Sequence, residues 1–291
     1  MTNPIYKIIA KKFRKDWSHG DMLRDKDFSI PENVEVIRDI PYGPVKKWNL
    51  LDVNIPKDKE GPLPVIVNFH GGGFFYGTKD IYGIYASHLA AHGFAVVNFN
   101  YRLSPENLFP KQLTDCNAAY KWLCHNADKY NLDLSHIYFV GDSAGANLVY
   151  FYSAILTNPD YAKLYDFEVP AVKPKAVALN CGLYQIENDI NVLVSKAYVG
   201  HRKKKYAENL KIEKYITADF PPAFVVSAPN DFLLCQLQPL VDLLQGKGVP
   251  VESKIYGTKE DPQAVHVFHL NLKLDYGKQC NDDECDFFRK Y

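Results

Sequence analysis

Short apolar runs alternate along the chain with segments whose apolar residues recur at helical spacing. The run PVIVNF, residues 64–69, is typical of a strand buried on both faces of a parallel sheet, because it has no polar face. The whole pattern predicts about eight strands, at residues 34–40, 48–55, 64–69, 94–99, 137–140, 176–180, 223–227 and 251–256. A turn signal, Pro41-Tyr42-Gly43-Pro44, separates the first two strands and predicts an antiparallel hairpin at a sheet edge.

Helical patterns fit between the predicted strands. They predict helices at residues 81–92, 111–130, 144–156 and 233–245, with a last helix beginning near Val267. The alternation of strands with helices predicts an α/β fold, in which helices flank both faces of a mostly parallel eight-stranded sheet.

Two segments do not follow this alternation. Residues 1–30 carry Ile5, Ile8, Ile9, Phe13 and Trp17 at helical spacing, with lysines on the other face. Residues 185–217 form a second segment with a helical pattern, and it contains the basic run RKKK. Such helices can lie on a membrane surface. The simpler interpretation is that both segments lie over one end of the sheet with their lysines in solvent.

A serine between two glycines follows the predicted strand at 137–140, in the frame Gly141-Asp142-Ser143-Ala144-Gly145. In a strand–turn–helix context this frame indicates a strained turn that carries a nucleophile, with glycines where side chains would clash. The backbone N–H of Ala144 then lies at a helix N-terminus, where negative charge is favoured. Alone, the frame is also compatible with an ordinary N-cap serine.

Three glycines, Gly71-Gly72-Gly73, follow His70 at the end of the predicted strand at 64–69. Consecutive glycines expose backbone N–H groups that no side chain blocks, which suits a site where negative charge develops on an oxygen. The triple glycine alone indicates a flexible turn. Its combination with the serine frame favours the functional interpretation.

These two motifs, with YRLSPE at residues 101–106 and Phe109-Pro110, resemble the hormone-sensitive-lipase-like family of α/β-hydrolases, in its GDSAG branch. The resemblance runs from about residue 60 to 270. It implies a single α/β-hydrolase domain over residues 1–291, with a helical cap contributed by about 1–30 and 185–217. It also implies a carboxylesterase- or lipase-type serine hydrolase.

By this resemblance Ser143 is the nucleophile of a catalytic triad. The backbone N–H groups of Gly72, Gly73 and Ala144 are the implied donors of the oxyanion hole. His70 resembles the family's structural histidine, which organises the glycine loop, and it is not assigned a role in proton transfer.

The acid and the base are expected after late strands, in the order serine, acid, histidine. Asp231 follows the predicted strand at 223–227 and matches the family's acid position, although an aspartate there could also be a helix N-cap. His266 begins the motif His266-Val267-Phe268, which fits the family's His-x-Phe with valine in place of the common glycine. His269 is the alternative base, and a zinc site formed by His266 and His269 is a weaker one because no third ligand is near.

Charge and cysteine content limit the partners and the location. The chain has 34 basic and 34 acidic residues, so its charge gives no reason to expect nucleic acid. The N-terminal sequence does not resemble a signal peptide, and no apolar run is long enough to span a bilayer, so we expect no stable membrane insertion. Six scattered cysteines without an export signal predict reduced thiols and a cytoplasmic location. Cys280 and Cys285 are a weak candidate for metal binding, since no matching pair exists.

The expected activity is hydrolysis of short- to medium-chain carboxylic esters through an acyl-enzyme on Ser143, without a metal or cofactor. The substrate is expected to be a small-molecule ester, and the chain is compatible with a homodimer. Three alternatives remain open: an esterase for acetylated or feruloylated carbohydrates, an acyltransferase, and an inactive small-molecule binding protein on the same scaffold.

Overall fold

The computed structural model of the chain describes residues 4–186 and 192–291. Within these residues the sheet has eight strands: β1 (Val34–Pro41), β2 (Leu50–Pro56), β3 (Leu63–Phe69), β4 (Ala95–Phe99), β5 (Leu132–Asp142), β6 (Ala176–Asn180), β7 (Ala223–Ser227) and β8 (Val251–Ile255). Their order is β1-β2-β4-β3-β5-β6-β7-β8. β2 pairs antiparallel with β1 and β4, and every other pair is parallel. The predicted mostly parallel sheet with an edge hairpin is therefore confirmed.

Burial along the strands explains why the apolar runs predicted them well. Every residue of β4, β6 and β7 is buried, as expected for strands covered on both faces. β8 lies at the edge of the sheet, and four of its five residues are exposed. β5 is longer than its apolar run, because its first residues, from Leu132, pair with the start of β3 before the register shifts.

The described residues contain eight α-helices: α1 (Pro4–Asp25), α2 (Gly83–Ala90), α3 (Lys111–Asn126), α4 (Ala144–Thr157), α5 (Pro159–Ala162), α6 (Val192–Tyr198), α7 (Leu237–Gly246) and α8 (Asp275–Phe288). Buried side chains of α3, α4 and α7 form the core on one face of the sheet. Those of α2 and α8 form the core on the other face. Each face of the sheet is therefore covered by helices, as the alternation predicted.

The beginning of the last helix was predicted wrongly. It was expected near Val267, but α8 begins at Asp275. Val267 adopts a left-handed conformation with φ of 56°, and Asn271 is extended, so the chain between them forms only a short 3₁₀ turn. Phe268 and Leu270 are buried from this turn.

α1 is a helix, as its spacing predicted, but its apolar face is not fully buried. Ala10 is buried, whereas Ile5 and Ile8 are 59% and 70% exposed. Trp17 packs against Phe75, with their ring centroids 5.4 Å apart. Within the described part of the chain, no helix combines the length and the apolar character needed to cross a bilayer.

The segment 185–217 is less helical than its pattern suggested. Its described residues form α6 and two short 3₁₀ turns, Gly200–Arg202 and Ile212–Lys214. Tyr198 of α6 stacks on Phe74, with ring centroids 3.6 Å apart. The two predicted cap segments also include residues 1–3 and 187–191, which lie outside the described residues. The assignment of 1–30 and 185–217 as a cap, and of 1–291 as one domain, stays a prediction.

The turn between β5 and α4 places Ser143 at the carboxyl end of the sheet. Ser143 has φ of 53° and ψ of −114°, which is a strained backbone conformation for a residue with a side chain. A Cβ on Gly141 would lie 2.6 Å from the carbonyl carbon of Gly145, and a Cβ on Gly145 would lie 1.9 Å from the carbonyl oxygen of Phe69. Gly145 is thus required by the close approach of α4 to β3.

Gly145→Ala should destabilise the protein strongly, because the new methyl group would overlap the backbone of β3 rather than a side chain that can move. We expect the free energy of unfolding to fall by at least about 3 kcal/mol, measured by urea denaturation. Gly246→Ala is the matched control, because nothing lies within 4 Å of a Cβ at Gly246, and its effect should stay within about 1 kcal/mol. Equal effects of the two substitutions would contradict the role given to Gly145.

Candidate active site

The glycine loop follows β3 and bends back on itself. Phe75 and Tyr76 both donate backbone hydrogen bonds to the carbonyl oxygen of Gly72, at 3.1 and 2.9 Å. Gly72 and Gly73 have φ of 104° and 59°, and a Cβ on Gly72 would lie 2.4 Å from the carbonyl oxygen of Tyr76. Within the described residues, the N–H groups of Gly72 and Gly73 donate to no acceptor. Both N–H groups are therefore available to an acceptor from outside the loop.

His70 is buried beneath this loop. Its Nδ1 lies 2.8 Å from the carbonyl oxygen of Gly71, and its ring stacks on Tyr101 with centroids 4.0 Å apart. The Tyr101 hydroxyl in turn donates to the carbonyl oxygen of His70 at 2.8 Å. Burial lowers the pKa of His70 to about 4, so the ring is neutral at pH 7. These contacts fit a histidine that organises the loop.

A tyrosine hydroxyl joins the serine turn to the glycine loop. Tyr82 donates to the buried carboxylate of Asp142 at 2.8 Å and accepts from the backbone N–H of Gly71 at 2.9 Å. Burial raises the pKa of Asp142 to about 6. Neither side chain was predicted from the sequence. The charged residue between Gly141 and Ser143 in a buried turn was a signal for Asp142, whereas nothing in the sequence indicated Tyr82.

Three of the predicted site residues form one hydrogen-bonded row. His266 Nε2 lies 2.9 Å from Ser143 Oγ, and His266 Nδ1 lies 2.8 Å from Asp231 Oδ1. A carboxylate can only accept hydrogen bonds, so Nδ1 carries the proton and Nε2 is left to accept from the serine. The row is mostly enclosed, since the Asp231 side chain is fully buried and that of His266 is 19% exposed.

Asp231 accepts hydrogen bonds from at least three groups. Besides His266, the backbone N–H of Leu233 donates to Oδ1 and the Ser227 hydroxyl donates to Oδ2, each at 2.8 Å. Burial alone would raise the pKa of Asp231, but the hydrogen bonds and the charge of His266 outweigh it and hold the pKa below its usual value. Asp231 is therefore ionised at pH 7. The N-cap role considered for Asp231 is not met, because the 3₁₀ turn Leu234–Gln236 has Leu233 at its N-cap and α7 has Gln236.

His269 lies in a different environment from His266. It is fully buried, and burial lowers its pKa to about 3. Its ring lies 5.5 Å from that of Tyr85, and neither ring nitrogen has a hydrogen-bond partner in the described chain. Of the two histidines, His266 is the one hydrogen-bonded to Ser143.

A buried glutamate supports the serine turn from the face covered by α8. The backbone N–H of Ser143 donates to the carbonyl oxygen of Asn180 at 2.9 Å. The side-chain amide of Asn180 donates to Glu284 Oε2 at 2.8 Å. Glu284 is fully buried, and this burial raises its pKa to about 8. Its carboxyl group is therefore mostly protonated at pH 7.

Aromatic side chains surround the row and the glycine loop. Phe232 is 58% exposed, and its ring lies 4.3 Å from that of His266. Phe75 is covered by Trp17, whereas Phe74 is fully buried. Phe74 therefore has a packing role.

Side chains able to bind a metal converge at one point of the described chain. Cys181 lies beside Asp231 and His266, and one potential ligand atom from each residue lies within 4.8 Å of the others. Cys280 and Cys285 are both buried in α8 and belong to no such group in the described residues.

A family model described as BD-FAE matches residues 51–241, about two thirds of the chain. The chain belongs to the BD-FAE family of α/β-hydrolases. The matched range includes the glycine loop, Ser143 and Asp231, and it ends before His266.

Curated relatives of this BD-FAE member are named as esterases. Esterase LipI of Mycobacterium tuberculosis is 29% identical over 240 residues, which cover 75% of this chain and 71% of LipI. The acetyl esterase of Salmonella typhi is 29% identical over 238 residues, which cover 75% of this chain and 70% of that enzyme. The chain is thus a carboxylesterase-type hydrolase, and its resemblance to the hormone-sensitive-lipase-like α/β-hydrolases is confirmed.

Solved structures of esterases share the fold. Esterase B of Lactobacillus rhamnosis, in a structure with a C4-C4 tributyrin phosphonate, superposes with a TM-score of 0.92 at 22% identity, covering 100% of this chain and 96% of that one. A hyperthermophilic esterase of Pyrobaculum calidifontis gives a TM-score of 0.78 at 22% identity, covering 97% and 91%. The α/β-hydrolase fold is therefore confirmed along the chain.

Glu284 should make the stability of the protein depend on pH. Its pKa is raised from 4.5 to about 8, so between these values the folded state holds a proton that the unfolded state has lost. Stability should therefore fall as pH rises through this range. Glu284→Gln removes this proton and should flatten the decline, giving a higher melting temperature than the wild type near pH 8. Glu252→Gln is the control, because Glu252 lies in an exposed ion pair with Lys290. A pH dependence of stability that Glu284→Gln leaves unchanged would contradict the raised pKa of Glu284.

Proposed function

We propose that the chain is a serine hydrolase that cleaves short- to medium-chain carboxylic esters through an acyl-enzyme on Ser143. The observation that carries this proposal is the row of Ser143, His266 and Asp231, with spacings of 2.9 and 2.8 Å. A serine hydroxyl needs an adjacent base to act as a nucleophile, and the base needs a partner that fixes its orientation. The chain order of the three residues is that of α/β-hydrolases.

In the first step, Ser143 Oγ attacks the ester carbonyl carbon while its proton passes to His266 Nε2. Asp231 keeps the other imidazole proton on Nδ1 and stabilises the imidazolium that forms. The carbonyl π bond breaks, and its electron pair stays on the carbonyl oxygen as an oxyanion. His266 then gives the proton to the leaving alcohol as the C–O bond breaks, which leaves an acyl-enzyme.

The oxyanion would be held by the backbone N–H groups of Gly72, Gly73 and Ala144. The first two have no other acceptor in the described residues. Ala144 begins α4, so its N–H has no partner within its own helix. Each such donor typically contributes about 3–4 kcal/mol to the stability of the transition state. A water molecule, deprotonated by His266, would then attack the acyl-enzyme by the same route and release the acid.

The size of the acyl group is inferred from three observations. The relatives include acetyl esterases, and the structural neighbour Esterase B was solved with a phosphonate related to tributyrin. The exposed Phe232 beside His266 adds apolar surface next to the reacting atoms. These observations support esters of short to medium acyl chains, while acylated carbohydrates are left as the alternative to be tested.

Ser143→Ala should fold normally and lose at least about 10⁴-fold in kcat, because no other side chain in the row can form the acyl-enzyme. The test is hydrolysis of p-nitrophenyl butyrate together with labelling by a fluorophosphonate, read by mass spectrometry of the labelled peptide. Labelling of another serine, or turnover retained by the variant, would refute the acyl-enzyme on Ser143.

The histidine assignment is tested by His266→Ala against His269→Ala. His266→Ala should lose kcat nearly as severely as Ser143→Ala, since the base is gone. His269→Ala should keep substantial turnover and instead lower the melting temperature, because His269 is a fully buried side chain. The reverse order of activities would make His269 the base.

Substrate class is tested with p-nitrophenyl esters of increasing chain length and with acetylated and feruloylated sugars. We expect kcat/KM to be highest for acyl chains of about two to eight carbons. We expect kcat/KM to rise with chain length at first, because Phe232 offers apolar surface beside His266 and each well-buried methylene adds about 0.8 kcal/mol. A strong preference for the sugar esters would replace the simple-ester proposal with the carbohydrate alternative.

A further inference from the structure

A cysteine that the proposed mechanism does not use lies beside the acid and the base. Cys181 follows β6 directly and is buried, with a left-handed backbone at φ of 50°. Its sulfur interacts with the carboxylate of Asp231 and with the backbone N–H of Val267, the residue after His266. A thiol, a carboxylate and an imidazole thus lie close together at the Asp231 end of the row.

The spacing of the three groups is close to that of a metal site. One ligand atom each from Cys181, Asp231 and His266 lies within 4.8 Å of the others. Zinc binds sulfur, nitrogen and oxygen tetrahedrally at about 2.0–2.3 Å, which places its ligand atoms about 3.3–3.6 Å apart. Shifts of about 1 Å would therefore bring all three atoms to bonding distance of one ion.

The chemistry of these donors selects the metal. A thiolate and an imidazole favour zinc and similar thiophilic cations over calcium or magnesium, which prefer oxygen. Burial raises the pKa of the Cys181 thiol well above its usual value, so the ion must displace the thiol proton in order to bind the sulfur. The three side chains leave one position of a tetrahedral ion open, as in zinc sites that keep a water molecule.

We propose that Cys181, Asp231 and His266 form an inhibitory site for zinc or a similar thiophilic divalent cation. This proposal rests on the proposed function, in which His266 is the base. Zinc takes the place of the Cys181 thiol proton, which is released to the buffer, and binds His266 at Nδ1. The imidazole proton then moves from Nδ1 to Nε2, and the hydrogen bond between His266 and Asp231 opens.

With a proton on Nε2, His266 cannot accept the proton of Ser143. The ion lies on the side of His266 away from Ser143, so substrate still binds. Zinc should therefore lower kcat without raising KM. Cys181 is the one ligand of this site that does not belong to the row of Ser143, His266 and Asp231. Its removal should therefore relieve the inhibition.

The experiment measures hydrolysis of p-nitrophenyl butyrate in buffers of defined free zinc, each variant being compared with its own rate in EDTA. Wild type should lose kcat as free zinc rises. Cys181→Ser and Cys181→Ala should require at least about 10–100-fold more zinc for the same loss. Cys235→Ser is the matched control because Cys235 is exposed and outside the cluster, and it should remain as sensitive as wild type.

A second measurement does not depend on turnover. Cobalt added to metal-free Ser143→Ala protein should give the near-ultraviolet absorption of a cobalt–thiolate bond. This absorption should be absent from the double variant that carries both Ser143→Ala and Cys181→Ser. If wild type hydrolysed no ester, the proposed function would fail while the cobalt spectrum still decided the site.

Two results would overturn the zinc site. One is equal zinc sensitivity of wild type and both Cys181 variants. The other is a cobalt–thiolate absorption that survives Cys181→Ser or is missing from the Cys181-containing protein.

Discussion

The first turn of α4 lies against the end of β3, closer than any side chain would allow. The Cα of Gly145 faces the carbonyl oxygen of Phe69, and this contact fixes how the helix leaves the sheet. Because β3 continues directly into the glycine loop, the same contact sets the distance between the loop and Ser143. The strained backbone of Ser143 persists because the strands, the loop and the helix around it leave no other path.

Buried polar side chains keep the glycine loop and the serine turn in this arrangement through hydrogen bonds. Tyr82 links the carboxylate of Asp142 to the glycine loop, and Asn180 holds the backbone of Ser143 while Glu284 holds Asn180. Burial raises the pKa of Asp142 to about 6 and that of Glu284 to about 8, so at pH 7 Glu284 keeps its proton and avoids the cost of burying a charge. Asp231 differs because several donors keep it ionised next to His266. Carboxyl groups that lie close together thus differ in charge because their hydrogen-bond partners differ.

Much of the fold could be predicted because buried parallel strands are continuous apolar runs. β6 and β7 were predicted residue for residue, at 176–180 and 223–227. The last helix was placed too early, since apolar spacing does not distinguish a buried 3₁₀ turn from the first turn of a helix, and only backbone dihedral angles such as that of Val267 separate them. The outward position of Ile5 and Ile8 was missed for a similar reason, because spacing identifies a stripe of residues but not what covers it.

The candidate site was predictable where chemistry is local in sequence. The serine frame and the triple glycine carry their steric reasons within a few residues. Tyr82, Asn180 and Glu284 were not found, because each contributes a single contact across the fold and has no neighbouring motif. Cys181 was one of six scattered cysteines until the fold placed it beside Asp231.

The two phenylalanines after the triple glycine have a consequence for protein engineering. Phe74 stacks on Tyr198 of α6, whereas Phe75 packs against Trp17 of α1. Two segments far apart in the chain therefore pack against adjacent residues of one loop. A chimaera that exchanges either segment with a relative must carry its aromatic partner along with it, or the loop that presents the free N–H groups will lose one of its two supports.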